Sequence, residues 1–296
     1  MSKELKGTGV AMITPFTKSG AVDYAALENL VEDIIVNKVD FIVALGTTSE
    51  APTLTEAEKQ KVVETIIHQT GERVPVVMGI GGNNTAAVVD KIKQTDLSKI
   101  SGILSVAPYY NKPNQEGLYQ HFTNISKASP VPVILYNVPG RTSSNIAADT
   151  VLRLADECWN ITAVKEASGD LEQISKIIKN KPDEFHVLSG DDALTFPMMA
   201  LGADGVISVV ANAFPAAFSA MVRMLGKNKY EDARRIHYSL LEIIEQLFAD
   251  GNPAGIKAAL AILGVSNNKL RLPLVPVNRK VYHNLENLIS TYESPL

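Results

Sequence analysis

Ile161-Thr162-Ala163-Val164-Lys165-Glu166-Ala167-Ser168-Gly169-Asp170 holds an apolar run, a lysine at its end, a polar turn and a helix-capping aspartate in one short stretch. A run without polar alternation suits a strand covered on both faces, as in parallel sheets. The same unit recurs along the chain. Strands are predicted at Gly9–Ile13, Phe41–Leu45, Val74–Met78, Gly102–Val106, Val133–Tyr136, Thr162–Lys165, His186–Leu188 and Gly205–Val209. Helical patterns fit between them. Asp23 can cap a helix to Asn37, and Thr55 with Glu58 makes a capping box. Asp149–Asp156, Asp170–Lys179 and Asp192–Ala200 continue the series. Eight successive βα units with right-handed crossovers predict an α/β fold of the (β/α)8 TIM barrel type. An open doubly wound sheet is the alternative that periodicity leaves standing.

Beyond Gly226 the strand signal stops. Helices are predicted over Tyr230–Ala249, Ala254–Leu263 and Asn278–Tyr292, with Pro273 and Pro276 breaking the chain before the last. This gives a barrel over 1–225 and an all-helical C-terminal extension over 226–296. Hydrophobic residues make up 46% of the 296, enough for a large core. A net charge of −4 gives no reason to expect nucleic acid or an anionic membrane as partner. Cys158 is the only cysteine, so no internal disulfide can form, which fits a cytoplasmic location. The opening Met1-Ser2-Lys3-Glu4-Leu5-Lys6-Gly7 lacks the apolar segment of a secretory signal. Gly205–Val222 carries no charge, but Asn212 and Pro215 interrupt it, and a buried strand, a loop and a core helix are expected there.

Active sites of such barrels lie at the carboxyl ends of the strands. The residues there are Gly46-Thr47-Thr48-Ser49-Glu50, Pro108-Tyr109-Tyr110-Asn111, Tyr136-Asn137-Val138-Pro139-Gly140-Arg141-Thr142, Lys165 and Ser189-Gly190-Asp191-Asp192. One amine, one guanidinium and several hydroxyls suit a carbonyl substrate that bears a carboxylate. Strand parity puts Ile161, Ala163 and Lys165 on one face and Val164 and Glu166 on the other. Glu166 is therefore not expected to be the counter-ion of Lys165. A buried lysine without an acidic neighbour tends to lose its proton and become a nucleophile toward carbonyl carbon.

Each residue also has an ordinary reading. Strand-end lysines are commonly solvated or paired, Tyr136 alone reads as a core tyrosine, and Thr47 and Thr48 can simply close a turn. Asp191-Asp192 reads as helix capping rather than a metal site. Gly79-Ile80-Gly81-Gly82-Asn83-Asn84 follows a strand, but Asn84 stands where a nucleotide loop needs its third glycine. The five histidines have no metal-ligand spacing, and no serine-hydrolase elbow is present.

With these motifs in order along the chain, the sequence resembles the dihydrodipicolinate synthase family, within the N-acetylneuraminate lyase superfamily. The likeness rests on Gly46-Thr47-Thr48-x-Glu50, Pro108-Tyr109-Tyr110-Asn111-Lys112-Pro113, Tyr136 to Thr142 and Lys165 to Asp170, and it covers essentially the whole chain. It implies a lyase that condenses pyruvate with L-aspartate 4-semialdehyde, on the diaminopimelate route to lysine, without metal or organic cofactor. By the same resemblance Lys165 forms the Schiff base, and Tyr136, Thr48 and Tyr110 relay protons. Thr47, Thr48, Gly190 and Ile207 hold pyruvate, and Arg141 receives the carboxylate of the semialdehyde. Family members are commonly tetramers of tight dimers that exchange Tyr110, so a homo-oligomer, a dimer at least, is implied.

Sialic-acid and other sugar-acid aldolases share the fold, lysine and tyrosine but usually lack the Gly140-Arg141-Thr142 run. They are the enzymatic alternative, and a keto-acid sensor is the non-enzymatic one. Three departures stand out: Ser49 replaces a common glycine, Gly255 a common proline, and Lys59 and Ala87 replace residues of lysine-inhibited members. Weak or absent inhibition by lysine is expected.

Overall fold

Parallel pairing runs from each strand to the next, which is the pattern the repeated βα units demand. The computed structural model describes residues 5–295; Met1–Glu4, the start of the segment read for a leader, lies outside them. The strands are β1 Gly7–Ala11, β2 Phe41–Ala44, β3 Val76–Gly79, β4 Gly102–Val106, β5 Val133–Asn137, β6 Ile161–Glu166, β7 His186–Ser189 and β8 Gly205–Ser208. They follow chain order and close into a parallel barrel, which removes the open-sheet alternative.

The helices up to β6 are α1 Tyr24–Val36, α2 Glu56–Thr70, α3 Thr85–Gln94, α4 Gln115–Ala128, α5 Pro139–Thr142 and α6 Ala148–Glu157. Then come α7 Leu171–Asn180, α8 Thr195–Ala200, α9 Pro215–Leu225, α10 Tyr230–Ala249, α11 Ala254–Ile262 and α12 Arg279–Ser290. Contacts group the chain into two units. Among the described residues, one is Leu5–Lys6 with Pro75–Ile207; the other is Gly7–Val74 with Ser208–Pro295.

Local signals hold well. Asp23, Thr55 and Asp170 cap α1, α2 and α7 through their side chains, and the Thr55–Glu58 capping box is complete. Asn84, which spoils the nucleotide-loop pattern, caps α3 instead. Several predicted boundaries need correction. The first strand starts and ends two residues earlier than expected, at Gly7 and Ala11. The third begins at Val76 rather than Val74, because Pro75 has no N–H to give the ladder. Asp192 does not cap α8: Asp191 Oδ1 accepts from the N–H groups of Ala193 and Leu194, and the helix begins only at Thr195. The uncharged Gly205–Val222 stretch resolves into β8, a 3-10 turn at Val210–Asn212 and α9. No helix among the described residues is long and apolar enough to cross a membrane.

Gly255 accounts for itself. A Cβ there would sit 2.0 Å from the carbonyl oxygen of Leu247, so α11 can start this close to the end of α10 only without a side chain. Ser49 is equally tolerable. Its hydroxyl donates to Gly46 O at 2.7 Å, and the left-handed residue of this turn is its neighbour Glu50, at φ 55°.

Candidate active site

β5 and β6 set the centre of the site. Their register places Tyr136 opposite Lys165 and Asn137 opposite Glu166, so like-facing residues of the two strands are neighbours. Glu166 reaches Gln173 on α7, in the helical layer, and Lys165 therefore faces the barrel interior. Lys165 is 5% exposed, and its Nζ lies 4.3 Å from the centroid of the Tyr136 ring. Among the described residues no carboxylate forms an ion pair with it. Glu166 turns to the opposite face, as strand parity predicts, and bonds there to Asn137 and Gln173.

Gly190 follows β7 beside this lysine. A Cβ on it would lie 3.1 Å from both Cγ and Cε of Lys165 and 2.7 Å from Cβ of Ala167. Any larger residue would force a shift at Ala167 and crowd the stem of Lys165. Ile207 is buried on β8. Arg141 lies on the single turn α5, in the loop that follows β5, and is exposed.

Tyr110 is held quite differently. Its φ is 74°, and the N–H of Asn111 donates to Tyr109 O at 2.9 Å, closing a three-residue turn around it. Positive φ is costly for a bulky residue and is kept where surroundings enforce it, often at functional positions. The ring is 89% exposed. Tyr110 thus projects from its own chain.

Thr47 and Thr48 belong to the other unit, on a 3-10 turn after β2. Thr48 is buried, and Nδ2 of Asn252 donates to its Oγ1 at 3.0 Å. With one lone pair occupied by an amide, the hydroxyl hydrogen of Thr48 is left to donate elsewhere. The turn ends at Glu50, whose carboxylate is fully buried against the ammonium of Lys257. Lys257 also donates to Lys269 O at 3.0 Å, and Arg271 N donates to Glu50 Oε2 at 3.0 Å. Arg271 in turn forks onto Glu58 and onto the carbonyls of Gly20 and Thr53. The late Asn252-to-Lys257 motif therefore holds this turn at Thr48 and at its closing residue Glu50. Sequence reasoning noticed that motif without finding this use for it.

It also missed the amides behind Lys165. Glu166 is 0% exposed and has no cationic partner among the described residues. It accepts from Asn137 Nδ2 at 3.1 and 3.0 Å, Ser168 N at 2.8 Å and Gln173 Nε2 at 3.0 Å. Burial pushes its pKa up, while these donors pull the other way. Parity told which face Glu166 occupies, but nothing local names Asn137, Asn145 or Gln173 as its company.

A closed barrel with an amine and a phenol adjacent at the carboxyl ends of two strands has the layout of an aldolase-like lyase. Residues 4–292 match the Dihydrodipicolinate synthetase family. The chain belongs to that family. It is 52% identical over 285 residues to a 4-hydroxy-tetrahydrodipicolinate synthase of Parabacteroides distasonis, covering 96% of each chain. Its structure is similar to that of dihydrodipicolinate synthase from Aquifex aeolicus, with a TM-score of 0.94, 42% identity and 99% of each chain covered. A chloride-inhibited dihydrodipicolinate synthase from Acinetobacter baumannii, solved in complex with pyruvate, gives a TM-score of 0.94 at 39% identity over 97% of this chain and 98% of that one.

Proposed function

We propose that this chain condenses pyruvate with L-aspartate 4-semialdehyde, the reaction of a 4-hydroxy-tetrahydrodipicolinate synthase, through a Schiff base on Lys165. The observation that carries the reading is the interior Lys165, packed on Tyr136 and facing no carboxylate. The family and the relatives support it, since each relative named above is a synthase of this kind.

The chemistry follows from those groups. Deprotonated Lys165 attacks the keto carbon of pyruvate, and loss of water gives a protonated imine. That cation is an electron sink, so a methyl proton leaves and an enamine forms. The enamine carbon attacks the aldehyde, and the amine of the semialdehyde then displaces Lys165 to close the ring. Tyr136 serves as proton relay with Thr48 and Tyr110. Thr47, Thr48, Gly190 and the backbone at Ile207 receive the pyruvate carboxylate, and Arg141 receives that of the semialdehyde.

The exposed, strained Tyr110 supports a second copy completing the site, which makes the active form a dimer at least, with a tetramer built from two such pairs. Residues 1–225 act as the catalytic barrel and 226–296 as its helical support, in the cytoplasm. The test is borohydride reduction with pyruvate followed by peptide mass mapping, beside a coupled assay with both substrates. A reduced adduct on Lys165 and turnover of the semialdehyde are expected. An unlabelled lysine, or turnover of N-acetylneuraminate alone, refutes the proposal.

A further inference from the structure

The carboxylate of Glu166 sits at the head of a network of amides. Asn137 donates through Nδ2 to Glu166 and to Asn145 Oδ1 at 2.8 Å, and its Oδ1 accepts from Ile146 N at 2.9 Å. Asn145 Nδ2 donates to Gln173 Oε1 at 2.8 Å, and Gln173 Nε2 donates to Glu166 at 3.0 Å and to Asn145 Oδ1 at 3.3 Å. Each amide has one donating and one accepting end and can in principle be turned over. An ionised carboxylate accepts only. With every neighbour donating to it, Glu166 determines which way Gln173 points and through it Asn145, and it acts together with the N–H of Ile146 on Asn137.

These amides join specific pieces of the site. Asn137 directly follows Tyr136, as Glu166 directly follows Lys165. The Asn137 Oδ1 bond to Ile146 N closes the base of the loop that carries Arg141. Inside that loop the one hydrogen of Thr142 Oγ1 is shared between Val138 O at 3.2 Å and Ser144 O at 2.9 Å, and the same oxygen accepts from Ser144 N at 3.1 Å, so its tip is braced as well. Hydrogen bonds thus tie the loop to the ends of β5 and β6.

We propose that Glu166 is a positioning residue: its acceptor-only carboxylate orients Asn137, Asn145 and Gln173 and so holds the Arg141 loop in register with Tyr136 and Lys165. The inference rests on the function proposed above. It predicts that disturbing Glu166 harms the second substrate, which Arg141 receives, more than imine formation at Lys165.

Glu166→Gln keeps the shape but sets an NH2 against Gln173 Nε2 and Asn137 Nδ2. Relieving that clash turns Gln173 over and then opposes it to Asn145. KM for the semialdehyde should rise about tenfold, the scale of a small misplacement. KM for pyruvate and borohydride trapping should stay within about threefold of the parent, well inside that scale. Glu166→Gln/Gln173→Glu restores a donor facing an acceptor and should recover most of the loss. Asn145→Ala, at an exposed position, cuts the network without touching the buried carboxylate and should raise the same KM.

Equal loss for both substrates, no recovery in the swap, or an unchanged semialdehyde KM overturns the proposal. If Glu166→Gln does not fold, the Asn145→Ala result alone decides it. Hydrogen exchange of the peptide spanning 138–147, faster in Glu166→Gln and restored in the swap, provides a readout that stands even if the parent protein turns over neither substrate. Unchanged exchange there also overturns it.

Discussion

Replacing Lys257 by Met tests how the Thr47–Thr48 turn is held. The lysine side chain and its Glu50 partner are both 0% exposed, and the Nζ also lies 4.0 Å from the centroid of Phe16. Methionine fills most of the same space, so little of the loss comes from a cavity. What remains is a carboxylate buried with Arg271 N as its hydrogen-bond donor. Breaking one side of a buried pair costs about 3–5 kcal/mol, whereas replacing both sides by neutral groups costs far less. Unfolding entropy is about 2.1 cal/mol/K per residue. For 296 residues unfolding as one unit that is about 0.6 kcal/mol/K, and Tm should fall by about 5–8 °C. Urea melts of Lys257→Met, Glu50→Gln and the double variant form the cycle. A coupling of at least about 2 kcal/mol is expected, as for groups in one buried network. Coupling below about 0.5 kcal/mol, the level of independent sites, would refute the argument.

His121 predicts an acid sensitivity. Burial between α3 and α4 lowers its pKa from 6.5 to about 4, so between those values the unfolded chain takes a proton that the folded chain refuses. Stability is full above pH 6.5 and falls toward pH 4 by up to about 3 kcal/mol, at 1.36 kcal/mol per unit. His121→Gln should flatten that part of the urea-melt profile, and an unchanged profile contradicts the assignment. Arg141→Ala should raise KM for the semialdehyde about a hundredfold, the loss of a charge-assisted carboxylate contact, with pyruvate trapping retained; equal losses would remove its role. Lysine should inhibit weakly or not at all in steady-state assays, because Lys59 adds a cation, paired with Glu56 at 2.7 Å, and Ala87 offers no carboxylate. Strong inhibition would show that another residue receives the ligand's charge.

Much of this protein is legible from short-range patterns. The apolar runs at β4 and β5, the capping side chains of Asp23, Thr55 and Asp170, and the opposite faces of Lys165 and Glu166 all follow from neighbours within a few residues. Those preferences act through backbone geometry and period, so they survive translation from string to fold. Where they failed, at the start of β3 and the cap of α8, a missing N–H or a rival acceptor one residue away shifted the boundary.

Partner choice across distance was a different matter. Glu50 and Lys257 lie 207 positions apart, and Glu166 meets Asn137 at a separation of 29. A carboxylate in a sequence has many possible donors, and only the packed chain brings a few of them within hydrogen-bond reach and excludes water from the rest. Composition and period thus suffice for the succession of βα units and for the lysine's direction, while closure into a barrel was decided by the strand pairing of the folded chain. The company kept by its buried acids emerges only once long-range packing has removed every other acceptor and donor from reach.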